Sequence, residues 1–426
     1  MQFTVESFFN PHLPLGGTRS DAVFTITASG EAGAGSSSQK AVAFLADISG
    51  SMEGGKLQAA KFAIRRSIDL LSPDTLFTVI SFANSAKILF PLTLATKEAK
   101  DKAHHLVQSL EAGGGTEMSN ALLAAKAEFA KYPDAIACSM FLTDGQNNPE
   151  DRKKLQLTIE TCKGAFQCDC RGVGTDWDPE DLKRIANVLM GSADAITNPD
   201  GLEADFKNFL SKALSKGMSG VKLRLWSPKT AQLLSVQQMN PEILELLPAA
   251  KRIDDKTVEI ELGAWSAETR DYHIAIQVQP GAEGDEMLAC RPTVIVMANG
   301  VEVKTVGQPV VVAWTSDEAL STRINGQVAH YTGQAELATA IKDGLEAKSR
   351  GDVDVATKLL GKAVKLAEAS GNDEVTRRLS KVVDVVDASE GTVRLKSGNN
   401  KAADLELDMG GTRTVRRRPA TPTNPI

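Results

Sequence analysis

Two short apolar runs, each ending in an aspartate, constrain this chain more than any other feature. The first is Ala41-Val42-Ala43-Phe44-Leu45-Ala46-Asp47, followed by Ile48-Ser49-Gly50-Ser51-Met52. Its lack of polar alternation reads as a parallel strand buried on both faces. A parallel sheet presents its chemistry at the carboxyl ends of its strands. Here that end carries Asp-x-Ser-x-Ser, one carboxylate and two hydroxyls on a tight turn. Such hard oxygen ligands suit Mg²⁺ or Mn²⁺. Taken alone, the stretch reads equally well as a strand-to-helix turn with a capping serine.

The second run, Ile136-Ala137-Cys138-Ser139-Met140-Phe141-Leu142-Thr143-Asp144-Gly145, repeats the pattern, and Gly113-Gly114-Gly115-Thr116 between them opens a helix with a hydroxyl. Adjacent strands would place both carboxylates and the threonine at one oxygen-rich site. At this point the chain resembles the von Willebrand factor A (VWA) family and its metal-ion-dependent adhesion site, MIDAS. The matching positions are Asp47, Ser49, Ser51, Thr116 and Asp144. The resemblance covers residues 40–214. It implies that Ser49 and Ser51 ligate Mg²⁺ or Mn²⁺ directly and that Thr116 does so directly or through water. Asp47 and Asp144 would act mostly through water, leaving one position open for a partner's Asp or Glu. The glycine triplet lacks the Lys-Ser/Thr pair of a phosphate loop.

The whole chain has 426 residues and should hold several domains. Its net charge of −6 argues against general nucleic-acid or membrane-surface binding. No apolar run approaches a membrane span, and the first residues lack the pattern of a signal peptide. Cys138, Cys162, Cys168, Cys170 and Cys290 form a sparse, odd set, as in a reducing cytoplasm. Cys162, Cys168 and Cys170 cluster in sequence but have no histidine nearby, so they read as core thiols rather than zinc ligands. His104 and His105 are adjacent on a predicted helix and diverge too far to share an ion.

From residue 40 helices and strands alternate, with helices expected near 97–110, 119–131, 150–163, 179–190 and 201–216. Pro91 marks the strand around it as an edge. This predicts an α/β domain over 40–216, a doubly wound, mostly parallel sheet. Strand patterns without helices over 217–315 predict an antiparallel β-sandwich, with a hairpin at Asn299-Gly300. The strand-like residues 1–39 are expected to join it, across a flexible glycine- and serine-rich stretch at 30–38. Residues 316–390 predict an α-helical hairpin region, with Ala356, Leu360 and Ala363 on a helix-pair spacing. From 391 to 426 the polar composition predicts a disordered tail.

The expected function is a metal-dependent protein–protein interaction module, not an enzyme. No Ser-His-Asp or Cys-His set is legible, and a metal-dependent hydrolase would need more carboxylates or histidines at the strand ends. Thr412 and Thr414 lie in the basic tail as phosphorylation candidates. They suggest a cytoplasmic scaffold met by a Ser/Thr kinase and a forkhead-associated (FHA) domain reader. An adaptor for an AAA+ ATPase is the alternative. A secreted adhesin is disfavoured by the cysteine count and the missing leader pattern.

Overall fold

The computed structural model describes residues 1–30, 39–298, 301–396, 398 and 400–417. The chain divides into two compact units. One comprises Ser29–Val221 and Glu261–Ala267, the other Gln2–Ala28, Lys222–Ile260 and the chain from Glu268 onward.

In the first unit six strands form one sheet in the order Ala86–Leu94, Leu76–Phe82, Lys40–Asp47, Ile136–Thr143, Gln167–Val173 and Ala193–Ile196. All neighbours are parallel except the Ala86–Leu94 edge, which is antiparallel. Pro91 sits in that edge strand, where its missing N–H interrupts no ladder. The central strand is buried along nearly its whole length. Val42, Phe44 and Ala46 share a core with Leu57, Ala60, Ile64 and Ile68 of the Gly55–Leu70 helix, and with Phe206, Phe209 and Leu210 of Leu202–Ser215. On the other face Ala43, Leu45 and Phe141 are equally buried. Burial on both faces is why these strands read as continuous apolar runs.

Helices Lys97–Gln108, Met118–Phe129, Pro149–Cys162 and Pro179–Val188 complete the alternation. Thr96 caps the first of these, its hydroxyl accepting from Ala99 N–H at 3.2 Å. All five cysteines are buried and free. The unit does not end cleanly where the strand patterns begin. The 261–267 segment returns to it, with Trp265 fully buried and its backbone N–H donating to the Met218 carbonyl at 2.7 Å.

The second unit has two larger sheets. One runs Gln2–Phe9, Arg19–Ser29, Thr269–Val278, Ala231–Asn240 and Leu244–Glu245. The other runs Lys251–Asp254, Thr257–Glu261, Lys222–Trp226, Glu286–Ala298, Val310–Thr315 and His12–Pro14, with Val301–Val306 paired to Glu286–Ala298. The N-terminal strands are therefore part of both sheets. One pairing departs from the antiparallel expectation: His12–Pro14 runs parallel to Val310–Thr315. The Asn299-Gly300 turn and residues 31–38 of the glycine- and serine-rich stretch lie outside the described residues. Helices Gly326–Ser349, Val353–Ser370 and Asp373–Val382 follow, then the strand pair Val383–Asp387 and Thr392–Leu395.

The expectation of a disordered tail from residue 391 is corrected. Val393 and Leu407 are buried in the core of the three long helices, and Lys401–Gly410 is a helix. Asn400 caps it, its side chain accepting from Ala403 N–H at 3.2 Å. Beyond it the chain runs extended beside residues 241–243. Ile243 N–H donates to the Thr412 carbonyl at 2.9 Å, and Thr414 N–H to the Pro241 carbonyl at 3.1 Å. The Thr414 hydroxyl donates to the Met239 carbonyl. Gln334 brackets Val415, donating to its carbonyl at 2.6 Å and accepting from its N–H at 3.2 Å. Thr412 and Thr414 therefore lie in a seated segment, half-buried, not in a free tail. Residues 418–426 lie outside the described residues.

Asp271 anchors this seat. Its buried carboxylate accepts from the Tyr331 hydroxyl at 2.7 Å, from Arg416 Nε at 3.1 Å and from the Thr25 hydroxyl. Asp271→Ala would leave buried donors without an acceptor. It should destabilise the second unit by about 2–4 kcal/mol, whereas Arg416→Ala, which removes a partly exposed partner but leaves the buried carboxylate its two hydroxyl donors, should lose less, about 1–2 kcal/mol. Thermal melts of the two variants check the ordering, and equal losses would contradict it.

Candidate metal centre

The site is set by strand register. Ala46 pairs with Leu142, so Asp47 and Thr143 stand level at the carboxyl ends of neighbouring parallel strands. Asp144 follows directly. Both aspartates are fully buried. Asp47 Oδ1 accepts the Ser49 N–H at 2.7 Å, which shapes the turn after the strand, and Oδ2 accepts the Thr143 hydroxyl. Asp144 Oδ1 accepts the Ser51 hydroxyl at 2.6 Å, and Ser49 Oγ lies 3.1 Å from Ser51 Oγ.

Thr116 arrives on the glycine loop. Gly113 N–H donates to the Ile48 carbonyl at 2.7 Å, and Gly50 N–H donates to the Gly114 carbonyl at 3.0 Å. Gly114 has φ +87°, a conformation that L side chains rarely adopt. Asn148 closes the far side, its N–H donating to the Thr116 carbonyl at 2.8 Å.

The three hydroxyls converge on one point. A methyl added at Gly145 would lie 2.8 Å from Thr116 Oγ1, 3.2 Å from Ser51 Oγ and 3.6 Å from Ser49 Oγ. The missing side chain of Gly145 thus leaves room among three oxygen donors backed by two buried carboxylates. That donor set suits a hard divalent cation. Ser51 is exposed to solvent while Ser49 and Thr116 are buried, so the cradle opens on one side.

The structure brings together all five sequence-identified positions. It adds groups that no sequence motif marks. Lys56 donates to Asp144 Oδ2 at 2.6 Å, Asn84 accepts the Gly115 N–H at 2.8 Å, and Asn147 accepts the Met118 N–H at 3.1 Å. Spacing from the serine motif was the only signal for Lys56. Nothing local marked the asparagines. His104 lies apart from this set and contacts Asp69 at 3.2 Å.

Relatives among known proteins decide the family. A solved von Willebrand factor type A structure from Catenulispora acidiphila is 37% identical, with a TM-score of 0.91 and 97% of each chain covered. This chain belongs to the von Willebrand factor type A family. The family's domain profile matches residues 42–146, and a von Willebrand factor type A C-terminal domain profile matches 365–411. The second match crosses the stretch that composition assigned to a tail. The ArnB paralog VWA2 from Sulfolobus acidocaldarius shares the fold at 15% identity, with a TM-score of 0.61 over 97% of this chain and 98% of that one.

Curated relatives match less of their own length. An uncharacterized Synechocystis protein, sll0103, is 29% identical over 207 residues, 47% of this chain and 48% of its own. Human inter-alpha-trypsin inhibitor heavy chain H4 is 30% identical over 265 residues, 58% of this chain and 28% of its own. The chain thus spans half or less of these two relatives. VWA domains are in general metal-dependent protein-interaction modules. Among the described residues no helix is long and apolar enough to cross a membrane.

Burial pushes the Asp47 carboxyl up to about 6 from 3.8, against the lowering effect of its hydrogen bonds from Thr143 and Ser49. A folded-state value above the unfolded one means that the folded form holds the extra proton. Stability without metal should therefore fall as pH rises from near 4 through 6, by about 2–3 kcal/mol. Asp47→Asn, neutral throughout, should melt higher than the parent in EDTA at pH 7.5, with the gap closing near pH 4.5. Differential scanning calorimetry reads this directly. A variant that melts lower at both pH values would show that the hydrogen bonds outweigh the buried charge.

Proposed function

We propose that Asp47, Ser49, Ser51, Thr116 and Asp144 hold one divalent cation, Mg²⁺ or Mn²⁺, and that the loaded site binds an Asp or Glu carboxylate of a protein partner. The observation that carries this reading is the convergence of three hydroxyls on Gly145 with two buried aspartates behind them. Ser49, Ser51 and Thr116 would contact the ion, and the aspartates would supply the balancing charge. With hydroxyl rather than carboxylate ligands the ion keeps its attraction for an outside anion.

Binding fits this geometry better than hydrolysis. Each oxygen of Asp47 and of Asp144 already accepts a hydrogen bond, from Ser49, Thr143, Ser51 and Lys56 in turn. That leaves neither carboxylate disposed as a general base for water. A signalling role through Thr412 and Thr414, with a Ser/Thr kinase and an FHA reader, would first require residues 412–417 to leave their seat. The reading therefore rests on the metal site.

Calorimetric titration of the full chain with Mg²⁺ and Mn²⁺ tests it. Asp47→Ala should abolish binding. Gly145→Ala, whose methyl enters the cradle, should weaken it at least tenfold. Unchanged affinity in both variants would sink the assignment.

A further inference from the structure

Lys56 stands at the proposed ion site, although no ligand position calls for it. Its ammonium donates to Asp144 Oδ2 at 2.6 Å and reaches the Ser51 carbonyl at 3.5 Å. The Asp144 side chain is fully buried, while that of Lys56 is 28% exposed. Lys56 lies in the first turn of the Gly55–Leu70 helix. A cation there opposes the helix dipole. An unconstrained lysine would extend into water, yet this one lies back over the carboxylate. Its stem runs beside the Gly174 backbone, where an added methyl would lie 3.4 Å from Lys56 Cε.

The charges at this site are Asp47, Asp144 and Lys56. Two carboxylates against one ammonium leave a single negative charge, and a divalent ion turns that into a single positive one. Without the lysine, the loaded site would be neutral. We propose that Lys56 sets the charge of the loaded site and so selects an anionic ligand, at the expense of affinity for the ion itself. This rests on the metal-binding reading above. The same ammonium repels the incoming cation and attracts the incoming carboxylate, so one side chain moves the two affinities in opposite directions. Loss of packing or partial unfolding would weaken both together. Lys56 is a positioning and charge-setting residue, not an ion ligand.

The test uses the full chain and two neutral variants, Lys56→Met and Lys56→Gln, with Lys56→Arg as the charge-retaining control. Mn²⁺ affinity is read by electron paramagnetic resonance. Carboxylate affinity of the Mn²⁺-loaded protein is read with glutarate by water-proton relaxation. Each neutral variant should bind Mn²⁺ roughly tenfold more tightly and glutarate roughly tenfold more weakly, the scale of one partly solvated charge contact. Lys56→Arg should keep both near the parent values. Neutral variants that shift neither affinity, or shift both in the same direction, while the parent binds Mn²⁺, would overturn the proposal. A parent that does not bind Mn²⁺, or Asp47→Ala binding as well as the parent, would instead overturn the metal-binding reading and this proposal with it.

Discussion

The parallel pairing of Lys40–Asp47 with Ile136–Thr143 is the constraint on which the site depends. The two segments are 93 residues apart at Ser51 and Asp144, yet their hydrogen bond is 2.6 Å. Only the shared register makes this possible, because a slip of one residue would turn Asp47 to the opposite face of the sheet. Phe44, Leu45, Met140 and Phe141 hold that register by burial on both faces. The apolar core and the polar site are thus one object: the first fixes the level at which the second appears.

The polar end of the sheet is stabilised by mutual satisfaction. Two buried carboxylates at the ends of adjacent strands would repel and be costly to desolvate. Here their oxygens are shared among a backbone N–H, two hydroxyls and one ammonium. The loops around them are tied by backbone bonds between 113–114 and 48–50. The geometry is therefore preorganised by the chain itself, which limits how much a ligand must order on arrival.

Much of the first unit was legible because its signals are local and periodic. Leu57, Ala60, Ile64 and Ile68 announce an amphipathic helix, and Pro179 sits at the start of the next-to-last one. The site motif was legible for the same reason: its oxygens follow directly on the strands. Lys56 and Asn147 were not, since their roles arise from contacts over 88 and 29 residues. The C-terminal region misled for a physical reason. Gly391, Gly398 and Asn400 lower its mean apolar character, but they are turn and cap residues around Val393, Leu405, Leu407 and Met409, all buried. Composition averages over a segment, whereas burial depends on which residues face the core.

The order of synthesis gives the second unit an unusual history. The strand Arg19–Ser29 emerges from the ribosome long before its neighbour Thr269–Val278, with Thr25 and Asp271 separated by 246 residues. At ordinary translation rates that interval is roughly 12–50 s. Throughout it, the strand holding Val23, Phe24 and Ile26 has only Gln2–Phe9 beside it, while the intervening unit can close around strands of its own. That strand thus waits for a neighbour made 246 residues later in the same chain. For that interval the nascent chain carries an apolar, unpaired edge, the kind of surface that chaperones shield and that crowded neighbours join by mistake.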